Sequence, residues 1–517
     1  MWIATADRCR RMDRCAPEYG ISVRQLMDRA GLAVFQALQE MVAPKSHIVF
    51  VCGKGNNGGD GLVAAALSAK SGYTVDCLIV ANEGELSPLA AESLEHARAS
   101  EVNFCFLGSV EFETRLENLS EADLVVDALL GTGVSGDVRD PALTAIRAIN
   151  KSGAPVLAVD IPSGIETDTG DEQGESVWAS RTVTFGLPKP GFFQNQGLEH
   201  SGSWSVADIG FPPELLNEPS EAKLLDCGWA ANVLPSRLRS SHKGDNGSVL
   251  IVAGSKAMPG AASMAAQSAL RSGAGLVTLA SVESVCRAVS ARIPECILLP
   301  LSEEGGFIAP SAARVLLESQ KRYDAGVVGP GMGQSEATLE LLRLLWSDWK
   351  LPSVIDADAL NAVAKGVPLP GTECVLTPHP VEMGRLLQAS AAEIQADRFT
   401  AVKRASERFD KCVLLKGPYS LVREDDQPTL VNRSGNAGMA TGGMGDVLTG
   451  VIATLMGQSV PAYYAAGLGM YWHGLAADIC AEEIGMVGYK ATEVADALPK
   501  ARAKIVSSCD YENCCLF

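Results

Sequence analysis

Residues 436–450, NAGMATGGMGDVLTG, are rich in glycine, reach an acid at Asp446 and then turn apolar. Glycines let a backbone approach a ligand closely and point several N–H groups into one concavity. The apolar spacing after Asp446 predicts a buried helix from about Gly443 to Gly457. Such a helix start favours a phosphate, and Asp446 would stand beside it as a base for a substrate hydroxyl. The alternative is a packing turn in which Asp446 is an ordinary N-terminal charge.

The composition is typical of a multidomain α/β protein. The 517 residues exceed what one core usually holds, and 51 glycines fit many tight turns between strands and helices. The sequence has no apolar run of membrane-spanning length and no signal core, so we expect a cytoplasmic protein without a membrane partner. The net charge of −18 argues against a nucleic-acid partner. Any phosphate must then be held locally, by backbone N–H groups and a few lysines.

Three buried strands in the first half end in polar residues. Strand 47–52 runs into the glycine-rich loop 53–61, which precedes a helix predicted from Leu62. Buried strands that alternate with helices predict a parallel sheet, whose carboxyl edge is where ligands bind. Each strand-end acid alone would more often be a helix cap, but together they favour a site. The residues expected to converge there are Asn57, Asp127, Asp160 and Ser163.

The second half repeats the pattern with different loops. Its strands are predicted to end at Gly333, His379 and Lys416, at the same edge as Asp446. A lone histidine more often caps or packs, and a strand-end lysine can extend to solvent, but this shared edge favours ligand contacts. Prolines between the halves predict a linker. The predicted domains are 1–215 and 241–517, with the linker at 216–240.

Ordered motifs in both halves resemble one family. Residues 10–215 resemble the NAD(P)H-hydrate epimerase domain, and residues 240–505 resemble the ribokinase-like ADP/ATP-dependent NAD(P)H-hydrate dehydratase. In this order they resemble the bifunctional nicotinamide nucleotide repair enzymes, and we expect two doubly wound α/β domains, Rossmann-like and ribokinase-like. The motifs are GNNGGDG at 55–61, VDALLGTG at 126–133, VDIPSG at 159–164, HKGDNG at 242–247, RSGAG at 271–275, GPGMG at 329–333, TPHPVEM at 377–383, LKG at 415–417 and GGMGDVLTG at 442–450.

The resemblance implies roles for individual residues. Asp160 would be the acid/base of epimerisation and Asp446 the base of dehydration. In the first half the hydrated dinucleotide would contact Asn56, Asn57, Gly58, Gly59, Asp60, Gly131, Thr132, Gly133, Val134, Ser135, Gly136, Asp137 and Asp160. In the second half the S-hydrate would contact Ala261, Gly333, His379 and Asp446. The adenine nucleotide would contact Lys416, Gly417, Pro418, Tyr419, Ser420 and Gly445. A potassium ion would bind Asn57, Asp127 and Ser163.

The resemblance also implies substrates and partners. These are the hydrates NADHX and NADPHX, with ADP or ATP as co-substrate, Mg²⁺ beside the nucleotide and a homo-oligomeric assembly. The fused arrangement resembles bacterial proteins, which implies ADP. The rival interpretation is a ribokinase-like kinase of a vitamin-precursor alcohol with a non-catalytic N-terminal binding module. A stable phosphorylated product would distinguish that kinase from a dehydratase.

Overall fold

A computed structural model describes residues 1–134 and 136–514, with side chains as far as residue 507. The chain divides into two compact units. The N-terminal unit comprises residues 2–220, and the C-terminal unit comprises residues 221–517 together with Met1. Both are α/β units built on a mostly parallel sheet, so the predicted fold class is confirmed.

The N-terminal unit is a seven-stranded parallel sheet with helices between its strands. The strand order is β3-β2-β1-β4-β5-β6-β7, and every neighbouring pair is parallel. Its elements are α1 Ala6–Cys15, α2 Val23–Gln39, β1 His47–Cys52, α3 Asn56–Lys70, β2 Thr74–Ile79, α4 Pro88–Ala97, β3 Val102–Phe106, α5 Val110–Glu117, β4 Leu124–Ala128, α6 Ala142–Ser152, β5 Val156–Val159, β6 Arg181–Phe185, α7 Asn195–His200, β7 Ser203–Ala207 and α8 Pro213–Leu216.

The order of these strands fixes where a ligand can enter. After β1 the chain continues outward through β2 and β3, and then it returns to the other side of β1 as β4. The turns that leave β1 and β4 therefore run in opposite directions and open a crevice at the carboxyl edge. The strands that frame it are buried apolar runs, as sheets covered on both faces require.

The C-terminal unit holds a ten-stranded sheet in the order β11-β10-β9-β14-β15-β16-β17-β18-β19-β8. Its pairs are parallel except β17 with β18 and β18 with β19. A separate pair, β12 with β13, is antiparallel. The strands are β8 Ala222–Leu224, β9 Ser248–Val252, β10 Leu276–Val282, β11 Ile297–Leu301, β12 Glu303–Glu304, β13 Phe307–Ile308, β14 Ala325–Val328, β15 Ser353–Ile355, β16 Cys374–Leu376, β17 Cys412–Leu415, β18 Leu421–Arg423 and β19 Thr429–Val431.

The helices of the C-terminal unit place the predicted loop against the core. Helix α18 begins at Met444, one residue after the predicted start, and nearly all of it is buried. It crosses α10 closely, because a Cβ at Gly450 would lie 2.1 Å from the Ser268 hydroxyl. The helices are α9 Cys227–Val233, α10 Pro259–Arg271, α11 Glu283–Ser290, α12 Ala312–Ser319, α13 Glu336–Trp346, α14 Asp358–Ala364, α15 Pro380–Leu387, α16 Ala391–Ala396, α17 Arg398–Phe409, α18 Met444–Gly457, α19 Ala462–Ile484 and α20 Ala491–Cys514.

The structure differs from the sequence predictions in two places. Helix α3 begins at Asn56 and not at Leu62, so most of the predicted loop 53–61 is its first turns. Glycines permit this helix start, because a Cβ at Gly58 would lie 1.9 Å from the Gly53 carbonyl oxygen. Residues 216–240, predicted as a linker, contain β8 and α9. Strand β8 is held by pairing in parallel with β19, a long-range contact that local composition does not reveal.

Candidate active sites of the two units

A cavity of about 370 Å³ opens at the carboxyl edge of the N-terminal sheet. Several predicted substrate residues line it, and apolar side chains of α2 complete its wall. Gly131, with φ of 75°, turns the chain so tightly here that a Cβ would lie 3.0 Å from the Asn57 amide carbon. The predicted residues that line this cavity are Asn56, Asn57, Asp60, Gly131, Thr132, Gly133 and Asp160.

Other predicted substrate residues lie elsewhere. A Cβ at Gly59 would lie 2.7 Å from the Met27 methyl, so Gly59, like Gly58, serves the packing of α3. Val134, Gly136 and Asp137 are not among the lining residues of the cavity. Ser135 lies outside the described residues. The cavity therefore contains the predicted residues of α3, the turn at 131–133 and Asp160, but not the rest of the predicted substrate residues that the structure describes.

Asp160 forms a buried ion pair with Lys189. It follows β5 with a left-handed φ of 68°, and its Oδ1 accepts from the Lys189 ammonium at 2.5 Å. The same oxygen accepts from the Thr184 hydroxyl at 3.0 Å and the Phe185 N–H at 3.2 Å. Burial lowers the pKa of Lys189, but the negative charges around it, led by Asp160, outweigh this and raise it. The cavity thus contains a carboxylate with a permanently charged partner.

Asp60 is the second carboxyl group of this cavity. Burial, and then the charges of Asp160 and Asp13, raise the pKa of Asp60 well above its usual range. Asp13, at the cavity wall, has a raised pKa for the same two reasons, desolvation first and the Asp160 charge second. The cavity therefore holds Asp160, paired with Lys189, together with two acids whose pKa values are raised, Asp60 and Asp13.

Asp127, Ser163 and Asn57 meet beside this cavity at the ends of neighbouring elements. Asp127 is fully buried, and it accepts from the Ser163 hydroxyl at 2.6 Å and the Ser163 N–H at 2.8 Å. Within the described residues it has no cationic partner, and burial raises its pKa. The Asn57 side-chain nitrogen is also buried without a hydrogen-bond partner. The buried Asp127 carboxylate and the Ser163 hydroxyl offer oxygens to a hard cation, whereas the unsatisfied atom of Asn57 is an N–H donor and cannot bind one.

Asp446 occupies the first turn of α18, where the sequence predicted it. The N-cap is Gly443, whose left-handed φ of 94° turns the preceding loop across the helix start. Burial, and then the Asp356 charge, raise the pKa of Asp446 to about 7, although Lys416 opposes the shift. A carboxylate with this pKa can accept a proton near neutral pH.

Lys416 faces Asp446 from the end of β17. Its ammonium donates to Asp356 Oδ1 at 2.7 Å and lies 3.9 Å from Glu382. Burial lowers the pKa of Lys416, but these carboxylates more than offset the effect and raise it. Gly445 lies against this pair, because a Cβ there would be 3.3 Å from the lysine nitrogen. A larger residue at 445 would push into the cation that is expected to meet a phosphate.

His379 caps a helix and also borders the site. Its Nδ1 accepts from the N–H groups of Val381 at 3.1 Å and Glu382 at 3.3 Å at the start of α15. Burial, and then the charge of Lys416, lower its pKa, so the ring is neutral. The side chain nevertheless keeps 45 % of its surface exposed. His379 therefore acts as the helix cap, and its Nε2 lies 3.4 Å from Glu382 Oε1, while the exposed part of the ring borders the site.

Ala261 packs against the glycine turn that contains Gly333, at the same edge. Ala261 is in the first turn of α10, and a Cβ at Gly331 would lie 3.0 Å from its methyl group. Gly333, with φ of 81°, donates its N–H to Asp358 Oδ2 at 2.7 Å. A Cβ at Gly333 would collide with Phe307, which explains the glycine without a ligand.

The predicted nucleotide loop, residues 416–420, is a tight turn stabilised from below. The Ser420 hydroxyl accepts from the Gly417 N–H at 3.3 Å and donates to the Gly417 carbonyl at 3.0 Å. Tyr419 adopts a left-handed φ of 47°. Arg398, which is 3 % exposed, donates to the Pro418 carbonyl. The Arg398 guanidinium thus lies against the backbone of this loop.

Sequence reasoning missed Lys189, Asp13 and Arg398. Lys189 is four residues past β6, in a turn where a lysine is usually on the surface. Its signal is that a lysine among prolines and glycines, KPGFF, follows a buried strand. Asp356, the partner of Lys416, was missed as well, because sequence alone does not show which strand ends are neighbours.

The described residues contain no helix that is long and apolar enough to span a membrane. They also contain no group of three or more His, Cys, Asp or Glu side chains that could hold a metal ion. The described cysteines are free thiols, and Cys52, Cys77 and Cys412 are buried, as expected of reduced core residues.

Two family models match the chain. Residues 249–500 match the NAD(P)H-hydrate dehydratase model, and residues 23–191 match the YjeF-related protein N-terminus. A ribokinase-like superfamily protein of Enterococcus faecalis V583 matches 55 % of this chain and 96 % of its own, with a TM-score of 0.50 and 25 % identity. This supports the ribokinase-like fold predicted for the second half.

Full-length relatives share both halves. A bifunctional NAD(P)H-hydrate repair enzyme of Moorella thermoacetica is 39 % identical over 510 residues, which cover 96 % of each chain. A relative of the same name in Escherichia coli K12 is 36 % identical over 497 residues, covering 96 % of this chain and 93 % of its own. Similarity of this extent covers both units in the same order. The chain therefore belongs to the family of bifunctional NAD(P)H-hydrate repair enzymes.

Proposed function

We propose that this chain repairs hydrated nicotinamide dinucleotides in two steps. The N-terminal unit interconverts the R and S forms of NADHX and NADPHX, and the C-terminal unit dehydrates the S form at the expense of an adenine nucleotide. The proposal depends mainly on the surroundings of Asp446. This carboxyl group has a pKa of about 7, lies at the start of a helix that follows a glycine-rich loop, and faces Lys416. That pairing joins a base for a hydroxyl to a cation for a phosphate.

Dehydration needs a better leaving group than hydroxide. We propose that Asp446 removes the proton from the ring hydroxyl while the hydroxyl oxygen attacks the terminal phosphorus of the nucleotide. Backbone N–H groups at 443–445 and the Lys416 ammonium would stabilise the transferred phosphoryl charge. The C–O bond then breaks with departure of phosphate, and the neighbouring ring carbon loses a proton to water, which restores the double bond. With ADP the products are NAD(P)H, AMP and phosphate.

Lys416, Gly417, Pro418, Tyr419, Ser420 and Gly445 are proposed to bind the nucleotide. In support, the loop 416–420 ends a strand at the same edge as Asp446, and Gly445 touches the Lys416–Asp356 pair. Ala261, Gly333 and His379 are proposed to bind the S-hydrate. Mg²⁺ would arrive with the nucleotide phosphates, since Mg²⁺ often uses one or two carboxylates together with substrate oxygens.

Epimerisation needs proton transfer at two groups attached to the same ring carbon, its hydroxyl and the ring nitrogen. We propose that Asp160 takes the hydroxyl proton while Asp60 protonates the ring nitrogen, so that the C–N bond opens. Rotation and reclosure then give the other epimer, and both protons return. The buried Lys189 holds Asp160 in place through their ion pair, and the raised pKa of Asp60 favours its protonated form. The remaining lining residues would position the dinucleotide.

Asn57, Asp127 and Ser163 are proposed to hold the potassium ion. In support, Asp127 is buried without a cationic partner among the described residues, and Ser163 and Asn57 would each contribute a side-chain oxygen. The ion would supply a fixed positive charge beside the cavity. Asp127 and Ser163 would then hold the turn that follows Asp160.

The test is repair of a mixed hydrate preparation. The protein is incubated with R and S NADHX and with ADP or ATP, and reduced-nicotinamide absorbance is followed. We expect complete recovery, whereas Asp160→Ala should repair the S portion quickly and leave the R portion to spontaneous epimerisation. Accumulation of a stable phosphorylated product would favour the kinase alternative, and absence of any recovery would refute the proposal. The homo-oligomeric state and the absence of a nucleic-acid partner stay predictions.

A further inference from the structure

A second cavity of the C-terminal unit contains three arginines. It has a volume of about 380 Å³ and lies where Asn246 precedes β9 and Gly273 precedes β10. These are the amino ends of parallel strands, so the cavity is at the edge of the sheet opposite Asp446. Arg237, Arg271 and Arg502 line it, and we call it the arginine cavity. Its residues take no part in the proposed reaction.

Two of these arginines have no carboxylate partner among the described residues. Arg271 pairs with Asp496 at 2.8 Å, but the structure gives no ion pair for Arg237 or Arg502. Arg502 donates to the Pro235 carbonyl at 2.8 Å and lies over the Trp472 ring at 5.9 Å. These contacts hold its guanidinium in place without neutralising it. Burial, and then the charge of Arg237, lower the pKa of Arg502, as expected for like charges held together.

The carboxylate that lines the arginine cavity is engaged elsewhere. Asp245 accepts from the His242 N–H at 2.9 Å, and the same oxygen lies 3.3 Å from the His242 ring. Helices α10 and α18 also end here, and their carbonyl ends favour a cation. That effect accounts for Arg271 in the last turn of α10. It does not account for the two further arginines.

An unsatisfied hydroxyl lies in the same wall. Ser272 is 5 % exposed, and its Oγ has no hydrogen-bond partner. A buried hydroxyl without a partner is unfavourable, and such groups usually meet a ligand or water. The cavity therefore offers guanidinium donors and a hydroxyl donor, which together match the oxygens of an oxyanion.

We propose that the arginine cavity binds a phosphate group, either as inorganic phosphate or as part of a small phosphate monoester. Arg237 and Arg502 would donate to its oxygens, and Ser272 would donate through its hydroxyl. The volume of about 380 Å³ accommodates a phosphate with a small organic body. The site is separate from both proposed reaction centres, so it does not depend on the proposed function.

The test measures phosphate binding to the full chain by titration calorimetry at constant ionic strength set with potassium chloride. The background is Lys416→Gln, which weakens phosphate binding at the proposed nucleotide site. We expect one phosphate to bind in this background, and Arg237→Gln to weaken it about tenfold. Arg314→Gln is the control, since Arg314 is an exposed arginine of the same unit, 3.9 Å from Glu318. It should leave the affinity unchanged.

Further variants keep the test decisive. Arg502→Lys preserves the charge, and its binding should weaken less than that of Arg502→Gln. Titration with ribose 5-phosphate separates the two sources, because a monoester ligand should bind more tightly than inorganic phosphate. Absence of phosphate binding in the Lys416→Gln background would overturn the proposal, as would equal weakening by Arg237→Gln and Arg314→Gln. Arg237 is exposed, so its replacement should not disturb folding.

Discussion

Replacement of Asp446 by asparagine should lower activity and raise stability at the same time. The pKa rises from the ordinary aspartate value of 3.8 to about 7. Three units at about 1.4 kcal/mol each give an upper figure of about 4 kcal/mol for holding the ionised group in the fold. Solvent at this partly exposed side chain reduces the figure to about 2 kcal/mol. Asparagine avoids that cost but cannot accept the hydroxyl proton.

The sign of the pH dependence follows from the direction of the shift. Between pH 4 and pH 7 the folded parent binds this proton more tightly than the unfolded chain, so its stability falls as pH rises through about 4 to 7. The stabilisation by Asp446→Asn should therefore be absent near pH 4, grow through this window and level off above about pH 7. Dehydration should fall about 10²- to 10⁴-fold, while epimerisation is retained.

The assay combines urea denaturation at several pH values with the repair reaction. Hydrogen exchange identifies the unfolding transition that includes α18. Asp426→Asn is the matched control, because Asp426 is an exposed aspartate of the same unit. A stabilisation by Asp446→Asn that is constant with pH would refute the electrostatic argument. Undiminished dehydration would remove Asp446 from the mechanism.

Three further predictions concern the other contacts. Potassium chloride should raise the melting temperature of the N-terminal unit more than lithium chloride at equal ionic strength, and Asp127→Asn should abolish this difference. If the difference is unchanged in the variant, the ion does not bind at Asp127. Lys189→Met should destabilise that unit by about 3–5 kcal/mol, since it leaves the partner carboxylate buried alone, and thermal unfolding without a shift would contradict this. Gly443→Ala should lower the free energy of unfolding by about 1–2 kcal/mol because Gly443 has a positive φ. The reference variant is Gly442→Ala, where a Cβ meets nothing within 4 Å. Equal melting temperatures of the two variants would refute the strain argument.

Local pattern was enough to predict the strands that carry the sites. Strands β14, β16 and β17 end shortly before the predicted Gly333, His379 and Lys416, because each is a short apolar run that soon meets glycine or proline. Asp446 and Lys416 could be placed at one edge because parallel strands share the direction of their carboxyl ends. The same reasoning placed Asp127 beside Ser163.

Contacts between distant segments could not be predicted in this way. Lys189 reaches Asp160 from the turn after β6, and the pairing depends on β5 and β6 being neighbours. The start of α3 was misplaced because a run of glycines and asparagines favours a loop by local propensity. The close approach of Gly58 to Gly53 overrides that propensity, and it exists only in the folded unit. Arg398 was missed because an arginine at a helix start has no sequence signal of burial.

Strand β8 has a practical consequence for dividing the chain. Its three residues pair with β19, and their backbone covers the outer edge of the C-terminal sheet. A protein that starts at residue 226 would lack this strand and would expose the N–H and C=O groups of β19 as a template for intermolecular pairing. A start at residue 221 keeps the edge covered. Fragments that differ by only five residues should therefore differ sharply in their tendency to aggregate.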